Sequence, residues 1–359
     1  MVFGLAPAGA NGRALRIGVI GAGVMGSNHA RVFTGLPNVE LVGVADPLDV
    51  HRKRATDLIG CQTFESVEAL LNEGVDAVTI AAPTHLHHEI SLACIARGVH
   101  VLVEKPLAPS ADQARHLIDE ANRRNLTLMV DHTFLYTPAV QKIRELIAKG
   151  ELGEVYYYDS TRSSLGLFQS DVNVIWDLAV HDISIIHYIM NEDPVAVSAT
   201  GSCHVAGSPE NMAHITLFFE SKCVAHVSVN WLSPIKVRQT FIGGNKKMIV
   251  YNDLEPTEKI KLYDKGITLD ASPENAHQFR IGYRAGDMWA PNISTKEALQ
   301  TEVEHFIECA RTGATPISSG LSGLRVVEVL EAASCSIADH GKPVLLKQPS
   351  RMTERTLVA

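Results

Sequence analysis

The chain has 359 residues, enough for two domains, because one hydrophobic core rarely grows past about 250–300 residues. Hydrophobic residues make up 46% and charged residues 20%, a globular balance that excludes disordered, collagen-like and coiled-coil chains. The 32 Lys and Arg against 40 Asp and Glu leave a net charge of −8, without the electrostatic footprint for nucleic acid or the basic block that would select an anionic membrane.

The amino-terminal MVFGLAPAGANGRAL has no basic region before an apolar one and reads as a frayed tail rather than a signal peptide. Five short, β-rich apolar runs follow at Leu15–Ile20, Val39–Ala45, Ala77–Ala81, Val99–Val103 and Leu126–Val130. Between them lie helical patterns such as Leu86, Ile90, Ala93 and Cys94, or Ala114, Leu117, Ile118 and Ala121. Continuous apolar strands alternating with amphipathic helices predict an α/β, doubly wound Rossmann domain with a parallel sheet, over residues 1–135.

The texture changes after Tyr136. A helix carrying Val140, Ile143, Leu146 and Ile147 stops near Gly150 and Gly153. Period-two runs then occur at Val155–Thr161, Val195–Cys203, Ala213–Glu220, Val224–Trp231, Val237–Ile242 and Met248–Tyr251. They predict a C-terminal α+β domain, 136–359, with a large, mostly antiparallel open sheet. Residues 264–291 read as loop, and two helices close the chain, one through Leu299, Val303, Phe306, Ile307 and Ala310, the other over about 321–339. The longest greasy stretch, Val172–Met190, is broken by Asp177, His181 and Asp182, so no membrane span is expected. Cysteines 61, 94, 203, 223, 309 and 335 form no Cys-x-x-Cys pair and fit no zinc spacing. They read as reduced thiols, and the expectation is a cytoplasmic protein.

The strand Leu15–Ile20 runs straight into Gly21-Ala-Gly23-Val24-Met25-Gly26 and then a helix. This is the dinucleotide fingerprint in its proper context. Gly21 permits a tight turn, Gly23 lets the backbone approach a pyrophosphate, and Gly26 lets helix pack on strand. Asp46, twenty residues beyond Gly26, would accept hydrogen bonds from a ribose diol and repel a 2′-phosphate, which favours NAD over NADP. His51-Arg52-Lys53-Arg54 close by is the opposing signal.

Glu104-Lys105-Pro106 ends a predicted strand of the parallel sheet, where ligands of such folds bind. An isolated lysine there is more often a solvated charge. In Trp176-Asp177-Leu-Ala-Val-His181-Asp182, a helix would put Asp177 and His181, four apart, on one face. A carboxylate beside an imidazole can move a proton near neutral pH, although, for this segment taken alone, a capped helix with a satisfied core histidine is the stronger reading.

Together GAGVMG, the VADP at Val44–Pro47, AAPTHLHHE at Ala81–Glu89, VLVEKPLA at Val101–Ala108 and Asp177-x-x-x-His181 resemble the glucose–fructose oxidoreductase/inositol dehydrogenase (Gfo/Idh/MocA) family over nearly the whole chain. The resemblance implies hydride transfer between a sugar-like hydroxyl and NAD. It implies that Lys105 contacts the reacting hydroxyl, His181 takes its proton and Asp177 orients substrate or imidazole, across a cleft between the domains. It also implies a cis bond before Pro106. Asp131-His132-Thr133-Phe134-Leu135-Tyr136 departs from the Gly-His-x-x-Arg-Phe of many relatives, so an anion contact is lost or moved, and Ala179 replaces a usual glycine. IWDLAVHDIS, with VDHTFLYTPAV upstream, looks most like the branch of nucleotide-sugar 3-dehydrogenases, which implies oxidation at C3 of a UDP-N-acetylhexosamine such as UDP-GlcNAc. The alternatives are an inositol, polyol or free-sugar dehydrogenase, an NAD-dependent glycosidase using transient C3 oxidation, and an NAD-binding regulator.

Further candidates for the cofactor are Val24, Met25, Pro83, Thr84, His85, His88 and Glu104, with Thr84 also expected to cap a helix. His85, His87 and His88 cluster, but no carboxylate or cysteine completes a metal site, and none is expected. His132, Tyr136 and Trp231 are candidates to line a sugar pocket, and Arg162, Lys236 and Arg238 to meet a diphosphate, against the alternatives of core packing and surface charge. Apolar residues on both faces of Met212–Phe219 would leave one face uncovered and predict a homodimer or homotetramer through the sheet.

Overall fold

The computed structural model describes residues 13–166, 168, 172–190, 192–270 and 280–346, with backbone alone at 267–270 and 280–283. The chain divides into two compact units, residues up to 142 with 293–328, and residues 143–292 with those from 329 onward.

The first unit begins β1 (Leu15–Ile20), α1 (Val24–Thr34), β2 (Val39–Ala45), α2 (Asp49–Ile59), β3 (Thr63–Phe64), α3 (Val67–Asn72) and β4 (Ala77–Ile80). After a 3-10 turn at Thr84–Leu86 come α4 (His87–Ala96), β5 (His100–Glu104), α5 (Ala111–Arg123) and β6 (Leu128–Asp131). A second 3-10 turn, Thr133–Tyr136, leads into α6 (Pro138–Ala148). The six strands are parallel in the order β3-β2-β1-β4-β5-β6. Five follow the apolar runs; β3 is too short to show a period. Buried on both faces, β4 has no exposed residue, and in α5 the predicted Ala114, Leu117, Ile118 and Ala121 form the buried stripe. Ser110 starts α5 by accepting the amide of Gln113 at 3.3 Å, satisfying one of the helix's unpaired donors.

The second unit holds β7 (Val155–Leu165), a π turn at Ile175–Ala179 that continues as α7 (Val180–Met190), then β8 (Ala196–Ser202), β9 (Met212–Phe218), β10 (Val224–Asn230), β11 (Leu232–Gly244), β12 (Met248–Asn252) and β13 (Ile260–Tyr263). Next come the hairpin β14 (Gly266–Asp270) and β15 (Arg280–Arg284), and then β16 (Met288–Trp289). Residues 264–291, read as loop, therefore contain three strands; residues 271–279 lie outside the described residues. After α8 (Ala298–Thr312) and α9 (Gly320–Ala338), β17 (Val344–Leu345) joins the sheet of nine, ordered β16-β13-β12-β11-β7-β10-β9-β8-β17. Only β7 with β10 is parallel. Along β9, Ala213, Ile215 and Leu217 are buried while His214 is exposed and Met212, Thr216 and Phe218 are half-buried, so its second face is mixed rather than apolar.

A boundary at 135/136 is not where the compact units divide. The division falls inside α6 and inside α9, and α8 belongs with the first unit. There Val303, Phe306 and Ile307 are buried, and the Ser318 carbonyl accepts the amide of Val130 at 2.8 Å, extending the edge strand β6. Apolar periodicity shows that α8 has a buried face without showing which sheet it covers.

Candidate active site

In the first unit the strand order reverses between β1 and β4, and the crevice at the carboxyl ends of strands at such a point is where dinucleotides bind. The glycine turn lies there. Gly21 has φ +95°, and a Cβ on it would meet the Ala81 carbonyl oxygen at 2.5 Å; one on Gly26 would meet the Gly21 oxygen at 1.8 Å. A Cβ on Gly23 would touch nothing within 4 Å, so here the missing side chain serves an approach from outside. No acidic residue occupies the first turn of α1, whose start is therefore ready for an anion, and the residues present fit a pyrophosphate. Val24 and Met25 are exposed beside it.

Asp46, immediately after β2, is 7% exposed. Its carboxylate accepts the amides of Ala22 and Leu48, both at 2.8 Å, with His51 Nδ1 3.2 Å away. The carboxylate thus ties the glycine turn to β2 and has lone pairs left for a diol. The basic run is turned to other uses: Arg52 donates to the carbonyls of Asp46 and Pro47 at 2.8 and 2.9 Å, and Lys53 pairs with Asp49 at 2.7 Å.

Pro83, Thr84 and His85 line the loop after β4. Thr84 caps nothing: neither the 3-10 turn nor α4 has a side-chain cap. His88, expected near the cofactor, turns to α5, its Nε2 3.1 Å from Nδ1 of His116. The histidine built into the site is His87. Buried, it lies 2.8 Å from the Pro106 carbonyl oxygen through Nδ1 and 2.9 Å from that of Ala82 through Nε2, so it bridges this loop to the turn carrying Lys105. Burial lowers its pKa, and the neutral ring donates to one carbonyl at a time. Its spacing marked it as part of the cluster, but only the fold separates it from His85 and His88. Half-buried Lys105 follows β5, and its bond to Pro106 is cis.

Glu104 ends β5 with its side chain mostly enclosed. Its Oε1 lies 3.9 Å from Nε2 of His29, a fully buried residue of α1 whose Nε2 is 2.7 Å from Oδ2 of Asp131. Against the cost of burial, the hydrogen bonds and charges of Asp131 and Glu104 raise His29 to about 9. Imidazole and carboxyl oxygens lie within 4.8 Å of one another. Tyr136 and His132, expected at a sugar pocket, are each 1% exposed. The Tyr136 hydroxyl is 3.0 Å from Ser318 Oγ, which makes it core packing for the 293–328 segment.

In the second unit Asn173 starts the helical segment, its Oδ1 accepting the amides of Ile175 and Trp176 at 3.1 and 3.2 Å. Asp177 sits in the π turn and half-buried His181 about one turn later, in α7. Single π turns recur at functional sites. Trp231 is buried rather than lining a pocket, and its indole N–H donates to Oδ2 of Asp177 at 3.1 Å, fixing that carboxylate. Arg162 is likewise internal. It is 6% exposed and donates from Nε to Oδ2 of Asp182 at 2.8 Å, pinning α7 to β7. A charge expected at a diphosphate is thus part of the core. Arg238 pairs with Asp253 at 3.1 Å, while Lys236 is exposed on β11.

A parallel sheet reversing at an anion-ready glycine turn, with a carboxylate ending the second strand, defines a Rossmann-type dinucleotide-binding domain. Residues 15–132 match the family described as "Oxidoreductase family, NAD-binding Rossmann fold", and residues 140–250 match "GFO/IDH/MocA C-terminal domain". The chain belongs to the GFO/IDH/MocA family of NAD-dependent oxidoreductases. It is similar to UDP-N-acetylglucosamine 3-dehydrogenase of Acidithiobacillus ferrooxidans, 29% identical over 87% of this chain and 94% of that one. Scyllo-inositol 2-dehydrogenase (NAD(+)) of Bacillus subtilis is 26% identical over 92% and 96% of the two chains. The solved structure of the Acidithiobacillus ferrooxidans enzyme matches with a TM-score of 0.77 at 26% identity, covering 91% of this chain and 98% of that one.

Proposed function

We propose that the protein oxidises a secondary hydroxyl of a sugar with NAD, preferring C3 of a UDP-N-acetylhexosamine. The observation that carries the reading is the pair Asp177 and His181, the carboxylate fixed by Trp231 and the imidazole one turn on and half-buried. Likeness to the UDP-N-acetylglucosamine 3-dehydrogenase over 87% of the chain supports the choice of substrate. NAD, held by the Gly21–Gly26 turn, would supply the acceptor for the hydride of the carbinol carbon. Lys105 stabilises the developing alkoxide with its ammonium, His181 takes the hydroxyl proton, and Asp177 orients substrate or imidazole. Asp46 receives the ribose diol.

The second reading is an inositol or polyol dehydrogenase. Arg162 and Arg238 are both paired with internal carboxylates, so Lys236 is the exposed cation of the three proposed for a diphosphate. The protein is further proposed to be cytoplasmic and to assemble as a homodimer or homotetramer through the nine-stranded sheet. Light scattering giving the monomer mass would refute that assembly.

The deciding experiment follows NADH absorbance across UDP-sugars, free sugars and inositols. UDP-N-acetylhexosamines should have the highest kcat/KM. Preference for an inositol selects the second reading, and free sugar released without net NADH selects the glycosidase.

A further inference from the structure

Four ionisable side chains meet in the core of the first unit: His29 of α1, Glu104 of β5, Asp131 of β6 and Glu302 of α8. Strand register makes Glu104 the direct neighbour of Asp131, and carboxylates placed side by side on adjacent strands repel. Glu302, with no exposed surface, faces Asp131 and adds a third acid. His29 can supply one positive charge. Three carboxylates against one imidazolium would leave two net negative charges in a low dielectric, which proteins avoid by keeping acids protonated. Burial, then the charge of Asp131, pushes Glu302 well above the usual carboxyl range and Glu104 up to about 7. Despite burial, Asp131 is held low by His29.

Glu104 immediately precedes Lys105, so whatever grips its side chain sets the direction of the chain leaving β5. We propose that His29, Asp131 and Glu302 are positioning residues for Lys105: the His29–Asp131 pair, with Glu302 of α8 beside it, encloses the Glu104 side chain, whose Oε1 lies 3.9 Å from His29 Nε2, and so holds the strand end that carries the lysine. This rests on the role given to Lys105 above. It also explains why Asp131 is fully buried at a strand end, and why residues 293–328 pack with the first unit.

The test uses the full chain and the variants E302Q, E302M and D131N. The infrared difference between wild type and E302Q should contain the carbonyl stretch of a protonated acid, unchanged from about pH 6 to 8. After reductive ¹³C-methylation, the Lys105 resonance, assigned by its loss in Lys105→Arg, should stay in place in E302Q, whose amide still donates. It should move in D131N and E302M. With the substrate that wild type oxidises, D131N should lose kcat by about 10–100-fold, with KM for NAD little changed. If D131N does not fold, E302M carries the same comparison. Absence of the acid band overturns the proposal. So does a stoichiometric divalent cation in the purified protein that D131N abolishes, or a Lys105 resonance unmoved in folded D131N and E302M. The infrared and resonance arms need no substrate, so inactivity toward every sugar would refute the proposed reaction and still leave them readable.

Discussion

The two units bury charge in opposite ways. In the second, Arg162 and Asp182 are matched one to one at 2.8 Å, each almost fully enclosed. In the first, Asp131 and Glu104 both face the imidazole of His29, and Glu302 adds a third acid beside Asp131. A matched pair meets each charge with its opposite and joins α7 to β7. A mismatched cluster must hold protons, so its strength depends on pH. The difference shows that buried charge in this chain serves as a fixed pin in one unit and as a titrating anchor in the other, and four experiments can break or sharpen that contrast.

The largest effect separates chemistry from both clusters. Lys105→Ala and His181→Ala should each lower kcat by about 10²–10⁴-fold, roughly 3–5 kcal/mol of transition-state stabilisation. NAD affinity should hardly change, because the pyrophosphate is assigned to the Gly21–Gly26 turn. The double variant should fall short of additivity, since both side chains are assigned to one hydroxyl. Turnover and NAD titrations check this; near-normal kcat in folded His181→Ala removes it as the base.

Next comes the matched pair. Arg162→Leu leaves the Asp182 carboxylate buried without its cation and should destabilise by about 3–5 kcal/mol in urea unfolding. Replacing Asp182 by Leu as well should restore much of the loss. Equal loss in the single and double variants would mean that packing, not charge, is what matters at this position.

The third experiment concerns the mismatched cluster. His29 is raised from 6.5 to about 9, so its contribution is whole below pH 6.5 and disappears as pH climbs through 9. Glu104, raised to about 7, also favours the protonated side, whereas Asp131 is lowered and loses its contribution only on acidification. Stability should therefore fall between pH 6.5 and 9 by on the order of 2–3 kcal/mol. Asp131→Asn should flatten that slope and Arg162→Leu should keep it. Urea midpoints at the two pH values decide.

The smallest effect lies at the cofactor. Asp46→Ser should raise NADP use relative to NAD by about tenfold, near 1.4 kcal/mol. It should also weaken both cofactors, because the Ala22 amide loses its acceptor. Wild-type protein using NADP as well as NAD would overturn the role given to this carboxylate.

Much of the fold was legible because its signals are local. The glycine turn, the strand runs and the stripe of α5 each follow from residues within one turn or one strand of each other. Asp177 and His181 were legible as a pair for the same reason, their separation being that of a helical turn. The side chains left between two readings are those whose neighbours come from elsewhere in the chain. Trp231, pocket wall or core packing on the sequence, is buried and donates to Asp177, 54 residues away. Arg162, a diphosphate contact or a surface charge, meets Asp182 inside the second unit. Tyr136, sugar contact or core packing, meets Ser318 in the core, 182 residues on.

By itself the sequence determined the parallel Rossmann sheet, the antiparallel second sheet, the dinucleotide turn and the residue types available for proton transfer. Composition, period and spacing act over short range and are sufficient for these. Only the tertiary structure decided that α8 returns to the first unit, that His87 bridges to the turn carrying Lys105, and that His29 and Asp131, 102 residues apart, share a buried cluster. The reason is electrostatic: what a charged side chain does depends on the partner and the dielectric around it, and both are set by which distant segments pack together.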